Sequence, residues 1–208
     1  MPEKVHNALI EKTLSKEVIL HLSRDSTAID GWKKPQRKKT EKCPTAVVVP
    51  KHKGRPKKEE NRTPTALTRI EKQKTMSIEE MIKDLPKTCN IGSKRDSKGN
   101  VIDWIGYKLH LDIVDGGIPV SALLTSASLH DSQAAIPLAK ISTQKITNLY
   151  DLMDSAYDVE GIHQCSLDLE HVPLIDKNPR GNKTLQIDKE AEAKAHSEME
   201  AGRSYSLQ

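Results

Sequence analysis

GYKLHLDIVDGGIPVSALLTSASLHDS, residues 106–132, decides the fold. Tyr107, Leu109, Leu111 and Ile113 alternate with Lys108, His110 and Asp112, the period of two that marks a strand. Gly116-Gly117 is a hairpin turn signal, and IPVSALLTSAS (118–128) returns as the partner strand. Asp131 in LHDS reads as the N-cap of a helix over SQAAIPLAKI (132–141), which Pro137 would bend or shorten. Beyond the hairpin, NLYDLMDSA (148–156) supplies a strand, VEGIHQCSLDLE (159–170) a helix and VPLID (172–176) a buried-type strand. Residues 188–201 read as a strongly polar helix.

Upstream, Val5, Leu9, Ile10 and Leu14 give residues 3–17 one apolar helical face. Residues 18–24 switch to strand composition; Asp25-Ser26-Thr27 closes that strand, unless Ala28-Ile29 continues it. A helix is predicted within 65–85, best over SIEEMIKDL (77–85), where Ser77 and Glu80 form a capping box. NIGSKRDSKGN (90–100) reads as a polar turn. This order predicts a mixed α/β fold with a mixed sheet. It divides the chain into a helix and first acidic strand (1–31), a basic insertion with a short helix (32–100) and the remainder of the core (101–208).

Composition narrows the class. The chain has 208 residues, of which 36% are hydrophobic, 30% charged and 3% aromatic, with no Phe, so a core must come from Leu, Ile, Val and Ala. The net charge of +4 hides a bunching of basic residues early in the chain. Cys43, Cys89 and Cys165 fit neither a zinc pattern nor a disulfide framework and read as free thiols in a reducing compartment. No apolar run approaches the roughly 18–20 residues that span a bilayer. A soluble, cytoplasmic protein without a membrane partner is expected. His110, His130, His163 and His171 show no metal-ligand spacing and read as surface or capping residues.

Asp25 in VILHLSRDSTAI (18–29) and Asp154 in NLYDLMDSAYD (148–158) each follow an apolar run and precede small polar residues. Either one alone is an ordinary turn or cap residue. Two strands that each deliver a carboxylate are also how a fold builds a divalent-metal site, and adjacent strands can bring the two together. Asp112, Asp115, Asp131, Asp151 and Asp158 lie near enough in sequence to compete for the role, Asp131 foremost.

RDSTAI (24–29), the hairpin block, LMDSAYD (152–158) and KNPRGNK (177–183) together resemble the DDE-type transposases of bacterial insertion sequences. The resemblance covers roughly residues 18–31 and 100–208. It implies a ribonuclease-H-like core, here interrupted by a basic, largely irregular insertion. It also implies Asp25 and Asp154 as catalytic carboxylates and metal ligands, and Mg²⁺ or Mn²⁺ as cofactor. The implied partner is double-stranded DNA, at element ends and target, with a homodimer allowed. The family's third acid is a Glu preceded by basic residues. Glu190, Glu192, Glu198 and Glu200 lack that lead-in, so the third acid is expected to be missing and the chain to be a truncated transposase. The alternatives are a catalytically inactive DNA-binding remnant and a nuclease of the same fold.

The insertion carries a second signal. Lys33, Lys34, Arg37, Lys38, Lys39, Lys53, Arg55, Lys57 and Lys58 are candidate DNA contacts in a proline-interrupted stretch. KHKGRPKK (51–58) resembles an AT-hook, with Arg55 entering the narrow minor groove of A·T-rich DNA. Without such specificity the same stretch is a solvated linker that attracts any polyanion. Lys108, Lys177, Arg180 and Lys183 could hold phosphates near the acidic pair.

Overall fold

A computed structural model describes residues 2–14, 18–32, 34–35, 67–95 and 99–179, and positions 182, 184, 187, 191 and 194. Helix α1 (Pro2–Thr13) leads into strand β1 (Val18–Asp30). Two short helices, α2 (Arg69–Gln73) and α3 (Ile78–Asp84), precede β2 (Asn90–Arg95), β3 (Val101–Val114) and β4 (Ile118–Ser126). The chain continues as α4 (Ser132–Thr143), β5 (Thr147–Met153), α5 (Glu160–Asp168) and β6 (Val172–Ile175). The class is mixed α/β, as the hairpin block predicts. The strand and helix expected in 45–49 and 188–201 lie outside the described residues, apart from the isolated positions 191 and 194.

One six-stranded sheet carries the fold, in the order β2-β3-β1-β5-β6. β3 is long enough to pair with β2 along its first half and β4 along its second, both antiparallel. β1 runs antiparallel to β3 and parallel to β5, which in turn runs parallel to β6. The β3–β4 turn places Gly116 and Gly117 at φ 88° and 78°, a backbone region that glycine enters without steric cost. Both helix starts before β2 are capping boxes: Ser77 with Glu80, as expected, and Thr68 with Glu71.

The helices pack on one face of this sheet. Met81, Ala135, Ile136, Met153, Tyr157 and Ile162 form the largest buried cluster. Ile10, Leu22, Val114, Val120 and Ile146 form a second. The alternation of β3 is present, but its polar side is the one the helices cover. His110 is 1% exposed and Asp112 fully buried, while Tyr107, Leu109, Leu111 and Ile113 are half-buried on the other face. An interior that takes the polar side must supply partners for it, and here it does. Arg24 Nε and Nη2 donate to the two Asp112 oxygens at 2.7 and 2.8 Å, and Ser142 Oγ donates to Asp112 at 2.6 Å.

Several expectations need correction. Of the two ends open to the first strand, the longer one holds: Asp25 does not close it, and β1 continues through Ala28-Ile29 to Asp30 because β3 pairs with it that far. Residues 90–95 are a strand, not a turn, since Asn90–Arg95 finds a partner in the first half of β3. VPLI is an edge strand, with Val172 and Leu174 about half exposed. His110 and His171 are buried, because the helices cover the polar side of the sheet.

At Gly106 the backbone of β3 comes close to that of β1 and the Gly31 that follows it. A Cβ there would stand 2.0 Å from the Ile29 carbonyl oxygen and 2.7 Å from the Gly31 nitrogen. Both are main-chain atoms, so relief requires moving β1 against β3. Gly106→Ala is therefore expected to destabilise the fold by about 1–3 kcal/mol, the usual range for local backbone strain. Urea unfolding measures it, and a midpoint equal to wild type would contradict the described packing.

Candidate functional site

Val18↔Thr147 through Arg24↔Met153 fixes the register of β1 against β5. The same register continued by one residue sets Asp25 beside Asp154. Neighbouring strands lie about 4.8 Å apart, so two carboxylates distant in sequence arise from adjacent backbone positions. Asp25 is exposed, and its Oδ1 accepts from the Ser26 amide at 2.6 Å. Asp154 lies just past β5, at the N-cap of a 3₁₀ turn over Ser155–Tyr157, where its Oδ1 accepts from the Ala156 amide at 2.9 Å. Partial desolvation pushes the Asp154 carboxyl above the usual carboxylate range, and the Ala156 amide opposes it. The negative charges of Asp25, Asp131 and Asp176 add to the upward push.

Asp131 enters from the other side. It stands at the N-cap position of α4, as expected, but its side chain makes no capping bond. Lys108 Nζ donates to Asp131 Oδ1 at 2.9 Å and to the Leu129 carbonyl at 3.0 Å. Of the four cations proposed to hold phosphates near the site, Lys108 is thus already engaged by a carboxylate. His110 Nδ1 is 4.0 Å from the same Asp131 oxygen, while Nε2 of that ring bonds the Thr125 hydroxyl at 2.8 Å.

Beneath the carboxylates lies a buried polar layer. Burial alone would lower the Arg24 pKa, but contact with Asp112 more than reverses this and keeps the guanidinium charged. Asp151 accepts from Asn148 Nδ2 at 2.9 Å and Ser166 Oγ at 2.6 Å, with His171 Nδ1 at 3.3 Å. Burial pushes the Asp151 pKa up, yet His171, the charge of Arg24 and Ser166 together hold it at about 2. None of these groups is free for chemistry at the surface; they hold β1, β3 and β5 in place.

The donor set suits a hard divalent cation, which prefers carboxylate oxygens. Two further buried polar atoms, His110 Nδ1 and Tyr157 Oη, have no hydrogen-bond partner. As the side chains lie, no group of three or more His, Cys, Asp or Glu among the described residues converges closely enough to hold a metal. A cavity of about 270 Å³ lined by Lys74, Ile136, Lys140 and Cys165, among others, shares no residue with this site.

Of the expected DNA contacts, Lys34 is exposed just beyond β1. Lys33, Arg37, Lys38, Lys39, Lys53, Arg55, Lys57 and Lys58 lie outside the described residues, as do Glu190, Glu192, Glu198 and Glu200. Cys89 is buried and Cys165 half-buried, and neither forms a disulfide among the described residues. Among the described residues no helix is long and apolar enough to cross a membrane. Sequence reasoning passed over Arg24 and Tyr157, although each is close in sequence to a candidate aspartate. It read His110 as a surface group, although that residue lies on the polar side of β3. Comparison with protein-family models, curated proteins and solved structures gave no match.

Proposed function

We propose that the chain is a DDE-type transposase, or part of one, with a ribonuclease-H-like core that acts on double-stranded DNA using Mg²⁺ or Mn²⁺. The observation that carries this reading is the β1–β5 register, whose last pair, Arg24↔Met153, stands one residue before Asp25 and Asp154. When bound, a pair of divalent cations activates an attacking oxygen and stabilises the leaving 3′-oxygen of a phosphodiester. Asp25 and Asp154 present the carboxylates that would hold them. The Arg24–Asp112 pair fixes the strand that bears Asp25, and the turn capped by Asp154 fixes the other carboxylate. The basic residues of 33–58 supply phosphate contacts, whose affinity falls steeply with salt. Nicking of supercoiled plasmid in Mn²⁺ tests the reading: activity is expected in the wild type and lost in Asp25→Asn and Asp154→Asn. Nicking that survives both substitutions rules the pair out as the catalytic site.

A second reading is a chain that binds DNA without cutting it. It is favoured by the lack, among the described residues, of three carboxylates close enough to share a metal. Salt-sensitive binding with no nicking under any divalent cation would select it. On either reading, fluorescence anisotropy with duplex DNA is expected to show binding lost on deletion of residues 33–58. Undiminished binding would move the DNA contact elsewhere.

A further inference from the structure

The cavity of about 270 Å³ lies between α4, α5 and the end of α2, and neither Asp25 nor Asp154 lines it. Helical spacing builds its walls. Ile136 and Lys140 stand four apart on α4, and Gly161, Cys165 and Asp168 fall on one face of α5. Gly161 lets α2 close one end: a Cβ there would stand 2.6 Å from Ile70 Cγ2 and 3.7 Å from Lys74 Cε. One turn further along α5, Cys165 is small and leaves the space beside it open.

The floor of the cavity is apolar. Ile136 is fully buried in the largest core cluster, and Ile70 and Cys165 pack against that cluster. Burial pushes the Cys165 thiol up, while the charge of Lys140 opposes the push. At neutral pH the thiol is therefore an uncharged wall, with an ammonium near enough to act on it. The charges around the floor are unequal. Lys74 and Lys140 bring two ammonium groups against one carboxylate, Asp168, whose Oδ1 already accepts from Gln164 Nε2 at 2.7 Å. Among the described residues neither lysine forms an ion pair. An apolar floor beside one uncompensated positive charge suits a ligand that is apolar at one end and anionic at the other. Size narrows the choice, because an apolar cavity of about 150 Å³ already accommodates benzene. This one has room for a ring with a short acidic arm.

We propose that the cavity binds a small organic monoanion, an apolar ring that carries a single carboxylate, with Lys140 and Lys74 as its counter-ions. The proposal is independent of the reading of Asp25 and Asp154 as metal ligands. The ring lies over Ile136 and beside Cys165, and the carboxylate meets the two ammonium groups. A dianion fits less well, since Asp168 repels a second negative charge.

Phenylacetate is the probe, with phenylacetamide as its neutral counterpart and phenethylamine as the cation. Each is titrated into the ¹⁵N-labelled full chain, free of DNA and divalent cations, and the amide shifts are followed by NMR. Phenylacetate is expected to move amides around Lys140 and Cys165, with half-saturation at about 5 mM or tighter, the scale for a ligand of about ten non-hydrogen atoms. The amide and the amine are expected to bind roughly tenfold more weakly or not at all. Lys140→Met should raise the half-saturation by roughly tenfold through the lost charged partner. Cys165→Leu, which fills the cavity, should abolish binding. Lys83→Met removes a lysine of α3 that does not line the cavity, and wild-type affinity is expected there. Equal binding of phenylacetamide, wild-type affinity in Lys140→Met, or an equal loss in Lys83→Met overturns the proposal. So does the absence of any shift at ten times the expected half-saturation. Shifts confined to residues 33–58 also overturn it, because they would show general anion capture by the basic segment. If Cys165→Leu does not fold, Lys140→Met decides.

Discussion

Arg24→Met is expected to lower the free energy of unfolding by about 3–5 kcal/mol, because it leaves the Asp112 carboxylate buried without its counter-ion. The pair is enclosed, with side-chain exposures of 2% and 0%. Ser142 remains as a donor to Asp112, but a neutral hydroxyl does not replace a bidentate guanidinium. Small domains are stable by only about 5–15 kcal/mol, so the single substitution approaches the folding limit. Removing both charges is a different experiment. Arg24→Met combined with Asp112→Leu removes the penalty together with the attraction, and apolar replacements of buried pairs are often close to neutral. Urea denaturation of the two single variants and the double variant checks this. A double variant no more stable than the worse single one would show that packing around Arg24, rather than its charge, carries the effect.

Acidification is expected to destabilise the protein in two stages. His110 is held neutral: burial drives its pKa down to about 4 from an ordinary 6.5, and Lys108 adds to this, while Asp131 and Asp25 oppose it. The unfolded chain accepts this proton more readily than the folded one. The contribution is therefore complete above pH 6.5 and is lost as pH falls toward about 4. The span corresponds to about 3 kcal/mol. Asp151 acts lower: its contribution is present above pH 3.8 and fades as pH falls toward about 2. Urea unfolding in EDTA between pH 4.5 and 7.5 isolates the first stage. His110→Gln can still bond Thr125, and the slope of stability with pH should flatten in it. A slope equal to that of wild type would mean that other groups carry the acid sensitivity.

The parts legible in sequence are those that local chemistry dictates. The Gly116-Gly117 turn, the strands on either side of it, the Ser77–Glu80 capping box and the strand before Asp154 follow from residue types over short spans. What could not be read there depends on partners far along the chain. Residues 90–95 look like a turn until β3 offers them hydrogen bonds, and Asp25 looks terminal until β3 extends the strand beyond it. The covered side of β3 was hidden for the same reason. Lys108, His110 and Asp112 look solvent-facing in sequence, and it takes Arg24, 88 residues away, together with Ser142 to make burying Asp112 tolerable. Asp25 and Asp154 were readable as candidates, but their adjacency is a product of strand order. Asp131 was readable as a helix start; its turn toward Lys108 was not.

The buried ion pair also bears on fidelity of assembly. Sliding β1 by one residue against its neighbours would swing Arg24 outward and turn Ser23 or Asp25 toward the helices. In an ordinary half-apolar sheet such a slip turns the apolar side chains out to solvent. Here it would also strand Asp112 in the interior with the Arg24 counter-charge outside. Misalignment is thus penalised by unpaired charge as well as by the exposure of Leu22, and the charge penalty falls one residue from Asp25. A chain that has folded at all has therefore already fixed the strand pairing that leads up to its two carboxylates.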